Sequence, residues 1–243
     1  MVNRILLFTA LLLFCNSLFA QEPAAEDKTP QESQVQAVSD AEDDVLFSIS
    51  VGAEAKITAF TITDTVTGHE LATLNGTGVS PAVRITTGDI LDNPRNKIRI
   101  FFEAGYSDFS TDKQTVEDEE KDLGTSIDGK YYYLMPMVYY SEVEKGGDFS
   151  DSSGLVFGIG LGIGSLKAEG TAVYYKINPT QKNQIDVDGT GPMLRAYIGY
   201  QTGNLELYLN AFSLIVKNDA AVNDDNEYTL TELAAGANYK LYF

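Results

Sequence analysis

From residue 46 to residue 243 the chain alternates apolar and polar side chains with a period of two, in eight segments, and that regularity decides most of what it can become. Successive side chains of a strand point to opposite faces, so strict alternation gives a strand one apolar face and one polar face. In 46–60, Phe47, Ile49, Val51, Ala53, Ala55 and Ile57 share a face, and Ser48, Ser50, Gly52, Glu54, Lys56 and Thr58 share the other. In 97–109, Ile98, Ile100, Phe102, Ala104 and Tyr106 oppose Lys97, Arg99, Glu103, Gly105 and Ser107. In 154–166, Leu155, Phe157, Ile159, Leu161 and Ile163 alternate with Gly158, Gly160, Gly162 and Gly164. The same pattern predicts strands at 79–90, 129–141, 190–201, 204–217 and 228–243.

The joints between these segments carry a second pattern. Asp92–Asn96, the stretch around Gly146-Gly147, and Thr202-Gly203-Asn204 are short, whereas 61–78, 110–128, 170–189 and 218–227 are long. Short and long joints therefore alternate. Up-and-down membrane barrels show this asymmetry, with tight periplasmic turns and longer outer loops. An even strand count leaves both ends of the barrel on the periplasmic side.

What precedes the barrel is of another kind. Residues 1–20 read as a signal peptide: Arg4, an apolar run from Ile5 to Phe14, and a small residue, Ala20, at the cleavage point. The sole cysteine, Cys15, directly follows that run, and bulky Phe14 before it argues against lipidation. Residues 21–45 hold Pro23, Pro30 and scattered acids with few large apolar side chains, and are expected to be a disordered acidic periplasmic segment. The barrel domain then spans 46–243.

Alternation does not say which face looks inward, and a water-soluble lipocalin-like barrel would share the period. Segment lengths favour lipid outside, since they exceed the ~9–11 residues that cross a bilayer at a tilt. So do Tyr131, Tyr132 and Tyr133 at one end of a segment and Tyr139 and Tyr140 at the other, placed like two interfacial girdles. No apolar run beyond the N-terminus is long enough for a membrane helix, and the mean hydropathy is -0.12.

The last segment places Ala235, Ala237, Tyr239, Leu241 and Phe243 on one face. Here the chain resembles small bacterial outer-membrane barrels of the OmpA, OmpX and OmpW kind. The resemblance implies an all-β, transmembrane, antiparallel up-and-down barrel of eight strands in the outer membrane. It also implies that Tyr239, Leu241 and Phe243 are read by the barrel-assembly machinery, and that outer-membrane lipid and lipopolysaccharide surround the barrel.

With the apolar face on lipid, the other face fills the lumen. It carries a charge network of Glu54, Lys56, Arg84, Arg99, Glu103, Arg195, Glu206, Glu232 and Lys240, beside Tyr197, Tyr208, Asn210 and Asn238. An eight-stranded barrel is only wide enough for side chains, so these either plug it as mutual partners or line a narrow conduit.

Chemistry is sparse. His69, the only histidine, sits in a long joint, and a triad would need Ser107 and Asp108 brought to it. The acid-rich stretches 112–122 and 219–227 keep outer loops solvated and offer a surface to an extracellular partner, and Asp186-Val187-Asp188-Gly189 lacks the remaining ligands of a calcium loop. A formal net charge of -18 excludes a nucleic-acid surface. The expectation is a non-enzymatic barrel without cofactor, metal or catalytic group, in a structural or surface-interaction role. The alternatives are a narrow, porin-like channel for small or hydrophobic solutes and a lipid A-modifying enzyme.

Overall fold

The computed structural model describes residues 47–88, 90, 97–141, 153–218 and 225–243. The expected signal peptide (1–20) and acidic segment (21–45) lie outside them, as do the joints at 92–96 and 146–147 and most of 218–227. Among the described residues ten strands are present: β1 (Phe47–Asp64), β2 (Glu70–Thr87), β3 (Ile98–Thr111), β4 (Lys113–Val116), β5 (Glu119–Lys121), β6 (Ser126–Ser141), β7 (Ser153–Val173), β8 (Lys182–Thr202), β9 (Leu205–Lys217) and β10 (Asn226–Tyr242).

Eight of them close a barrel. The order β1-β10-β9-β8-β7-β6-β3-β2 returns to β1 through the β1–β2 ladder, every pairing is antiparallel, and each of these eight has a neighbour on both sides. Closure is sealed at one end by Phe47 and Phe243. Their backbones exchange two hydrogen bonds of 3.2 and 2.9 Å, and their rings stack at 4.9 Å. β4 and β5 form a small hairpin turning on Glu117 and Asp118, whose φ angles of 54° and 65° match the left-handed pair of a type I′ turn. Its β4 pairs with β2 at Leu74↔Gln114 and Asn75↔Lys113.

The long joints expected at 61–78 and 170–189 are mostly strand. β1 runs on to Asp64 and β2 begins at Glu70, while β7 runs on to Val173 and β8 begins at Lys182. The 110–128 stretch likewise contains β4, β5 and the start of β6. β7 and β8 are 21 residues each, about twice the ~9–11 residues that a membrane needs.

The physical reason is a reversal of phase. Along the lower half of β7, nearer the chain ends, Leu155, Ile159, Leu161 and Ile163 point outward. Above them Leu166 and Ala168 point inward, and Lys167 and Glu169 point outward. All eight wall strands switch in this way. In β1 the exposed Ile57 gives way to inward Phe60 and Ile62; in β10 the exposed Leu233 gives way, upward, to inward Leu230 and Tyr228. The switch falls at one level. Tyr106 and Tyr132 are cross-strand partners just below it, Asp108 and Lys130 just above it.

The barrel thus has two tiers. The lower tier wears an outward apolar belt roughly nine residues tall, matching the span of a tilted membrane strand. The upper tier is polar outside and packs Phe60, Ile62, Leu74, Phe109, Ile127, Leu166, Leu214 and Leu230 within, like a water-soluble protein. Gln114 of β4 ties the hairpin to β7, its buried amide bonding both backbone groups of Val173 at 2.5 and 3.0 Å.

Of the five tyrosines read as two girdles, only Tyr132 and Tyr140 face outward. Tyr131, Tyr133 and Tyr139 are buried in the lumen, as are Met135 and Met137. Period two sends a run of three tyrosines to both faces, and the girdle reading overlooked that parity.

Candidate functional site: the ionic lumen of the lower tier

The lumen is built by parity. Each lower strand turns its polar face inward, and the closed wall brings those faces together. Glu54, Lys56, Arg84, Glu103, Arg195, Glu206 and Glu232 are all buried, Lys240 retains 18% exposure of its side chain, and Arg99 is half-buried. Four carboxylates therefore share the lumen with five cations.

Three layers follow from the strand register. In the upper layer Lys56 Nζ donates to Ser107 Oγ and to the Asp108 carbonyl, both at 2.6 Å, and to Glu232 Oε2 at 3.4 Å. Glu232 also accepts from Tyr131 OH at 3.0 Å and from Thr58 Oγ1 at 3.2 Å.

The middle layer centres on Arg195. Its guanidinium pairs with Glu103, donates to Tyr133 OH at 2.7 Å, and bonds Asn210 Oδ1 through Nε at 2.7 Å. Tyr133 OH in turn donates to Glu103 Oε1 at 2.8 Å. Beside this group Tyr208 OH donates to Glu54 Oε1 at 2.7 Å, and Arg84 lies over the rings of Tyr208 and Tyr197 at 4.3 and 5.1 Å. Stacking rather than a carboxylate holds Arg84: its Nε and Nη2 have no hydrogen-bond partner.

In the lower layer Lys240 Nζ lies 2.9 Å from Glu206 Oε2 and donates to Gln201 Oε1 at 3.3 Å, and Gln201 Nε2 donates to Tyr242 OH at 2.7 Å.

Such burial is costly unless partners are close. An isolated buried ion costs several kcal/mol, and removing one member of a buried pair costs about 3–5 kcal/mol. Glu54, Glu103 and Glu232 meet that demand with hydroxyls or cations from other strands and Glu206 faces Lys240, while Arg84 relies on ring stacking. The glycine row of β7 makes room for packing of another kind. A Cβ at Gly158 would overlap Tyr139, at Gly160 Met137, at Gly162 Met135 and at Gly164 Leu214. Tyr139, Met137 and Met135 of the adjacent β6 and Leu214 of β9 take that room. Beside Glu54, Arg84, Tyr133 and Arg195 the remaining space is about 10 Å³, the size of one water molecule.

Other sequence candidates lie apart. His69 is exposed in the β1–β2 turn, where its carbonyl accepts from Asp64 N at 3.0 Å. Ser107 is buried against Lys56, so the structure does not bring a His69, Ser107 and Asp108 group together. Among the described residues no three His, Cys, Asp or Glu side chains cluster as a metal site would require. Tyr239 and Leu241 face outward on β10, exposed by 55% and 44%, and Phe243 just beyond its end is exposed by 55%. Sequence reading did not select Tyr131 and Tyr133 as partners of Glu232 and Glu103; the parity of 131 and 133 with Glu103's partner strand was the available signal.

A closed, all-β, eight-stranded up-and-down barrel with an apolar belt outside and paired charges inside defines the class: the fold is that of the small outer-membrane barrels. Solved structures to which the chain is similar include the outer membrane protein OprG from Pseudomonas aeruginosa, 10% identical over 82% of this chain and 98% of that one, TM-score 0.41. Another is the attachment invasion locus protein Ail of Yersinia pestis, solved with the heparin analogue sucrose octasulfate, 13% identical over 79% and 99%, TM-score 0.38. A third is the outer membrane protease OmpT from Escherichia coli, 13% identical over 86% and 99%, TM-score 0.35. No protein-family model matches the sequence, and no curated protein matches it either.

Proposed function

We propose that this chain is an exported, integral protein of a Gram-negative outer membrane whose plugged barrel serves as a rigid support for the polar tier it holds above the lipid. The observation that carries this reading is the reversal of apolar phase in all eight wall strands at a single level. A side chain turns toward acyl tails below that level and toward water above it, so the level marks the membrane surface. Residues 1–20 would direct export, 21–45 would hang in the periplasm, and Tyr239, Leu241 and Phe243 would be read by the assembly machinery.

The role is structural or surface-interacting rather than catalytic or conductive. In the middle layer Arg195, Glu103, Tyr133 and their partners leave about 10 Å³, the space of one water molecule, which favours a plug at that level. The upper tier displays a charged surface of both signs outward, with Asp128, Glu169 and Asp186 beside Lys130 and the Lys167–Asp188 ion pair, and it offers polar contacts to an extracellular partner. Planar-bilayer recording of the refolded protein tests the reading. It predicts no steady conductance, and a reproducible open channel would overturn it in favour of a solute pathway.

A further inference from the structure

Among the described residues the β2–β3 ladder is the shortest of the wall. β2 pairs with β1 from Phe47↔Thr87 up to Thr63↔Glu70, yet it pairs with β3 only from Val83↔Tyr106 to Thr86↔Glu103. Above, β2 meets β3 again where Asp112 N donates to Asn75 O at 3.0 Å and where a side chain at Gly76 would overlap the Ser110 carbonyl. Between these points Thr77–Ala82 of β2 and Ser107–Phe109 of β3 frame a window. Across it lies a long hydroxyl contact, Ser80 Oγ to Ser107 Oγ at 3.4 Å. Pro81 offers no N–H there to a ladder.

The window opens into a cleft of about 390 Å³ that reaches Lys56 and Thr58 of the lumen. That volume falls within the range of small-ligand sites, ~300–1,000 Å³. It lies at the level where the belt ends, with Tyr106 just below and Asp108 just above. Unpaired strand edges are excluded from the hydrocarbon but tolerated in the polar layer, where ligands with hydroxyls can satisfy them.

From this geometry we infer that the β2–β3 cleft is a binding site for an uncharged, hydroxyl-rich ligand, a saccharide. The lining decides the class. Thr58, Thr77, Ser80 and Ser110 offer hydroxyls, and Asp108 and Asp128 offer carboxylate acceptors. Those two carboxylates disfavour an anion, and the one cation, Lys56, is already held by Ser107, the Asp108 carbonyl and Glu232. Val79 and Phe109 are too little apolar wall for an acyl chain. The inference rests on the membrane placement proposed above. The sugar can come from a glycolipid headgroup in the surrounding leaflet or from a soluble saccharide.

Single cysteines test it, placed in a Cys15→Ser background because Cys15 is the only cysteine. Ser80→Cys and the exposed Thr77→Cys, each checked for heat-dependent gel mobility, are labelled in lipid vesicles with thiol reagents of different charge. A neutral reagent reacts and an anionic one is about tenfold slower. Equal rates for both reagents, or no reaction at either site, would overturn the inference. Lipopolysaccharide in micelles, or the soluble saccharide freed from its acyl chains, then slows labelling. Protection by the intact glycolipid alone identifies a headgroup, protection by both identifies a free saccharide as sufficient, and protection by neither overturns the site. Ile159→Cys in the belt separates the two claims: if it labels as fast as Thr77→Cys, the membrane placement has failed, whatever the cleft does.

Discussion

The two tiers of this barrel share strands, period and closure, and differ in which face is greasy. Below the level of Tyr106 and Tyr132, Leu155 to Ile163 look outward and Glu103, Arg195 and Glu232 look inward. Above it, Lys130 and Lys167 look outward and Phe60, Leu166 and Leu230 look inward. Nothing in the backbone requires the change, since the ladders of β7–β8 and β1–β10 run through it unbroken. The solvent requires it. Acyl tails reward apolar side chains outside and leave the lumen to paired charges, while water drives the same residue types into a packed interior.

The comparison can be broken from either side, beginning with the lower core. Glu103→Ala leaves Arg195 buried without its carboxylate and is expected to destabilise the folded barrel by about 3–5 kcal/mol, read from urea titrations of vesicle-embedded protein. If the loss is below about 1 kcal/mol, the lumen is wet rather than packed. In the upper core Leu166→Ala is expected to cost about 3 kcal/mol, as in any close-packed apolar interior. Third comes the outer surface. Leu161→Arg puts a charge against lipid near the top of the belt and should cost about 2 kcal/mol, whereas Thr190→Arg, in the polar collar, should stay within about 0.5 kcal/mol. Equal costs for both would erase the boundary.

The smallest effect belongs to the exposed β1–β2 turn. There the Asp64 carboxylate accepts from the backbone N–H groups of Thr67 and Val66, at 3.0 and 2.8 Å, and these hold its pKa below the ordinary carboxylate value. A depressed folded pKa means that the stabilisation is present above the unfolded pKa and lost as pH falls through the folded one. Protection of the Val66 and Thr67 amides, measured against the intrinsic exchange rate at each pH, should therefore fall on acidification below the usual carboxylate range, while protection in the lower core is unchanged. Asp64→Asn removes that dependence.

Strand count and the outward belt were legible because lower-tier alternation is strict in segments such as Leu155–Ile163. The upper tier was not, because the phase switches at Ser165-Leu166-Lys167 and a reader holding one phase sees the pattern stop. Residues 61–78 and 170–189 then pass for loops, although Phe60-Thr61-Ile62 and Ile185-Asp186-Val187 alternate as cleanly as anything below them. Lumen charges could be picked from parity, but their partners could not. Arg195 meets Glu103 and Tyr133 only through the registers of β3, β6 and β8, which single-chain spacing does not contain. The β2–β3 window is further still from the sequence, being a stretch where a ladder does not form.

Nitroxide labels at the outward positions of β7, from Leu155 to Thr171, report depth most directly, through the ratio of oxygen to water-soluble nickel accessibility in vesicles. Oxygen should dominate at Leu155, Phe157, Ile159, Leu161 and Ile163, and nickel at Lys167, Glu169 and Thr171, with the crossover at Ser165. Nickel access at Ile159 equal to that at Lys167 would mean that water, not lipid, surrounds the lower tier, and the account of this barrel would be wrong.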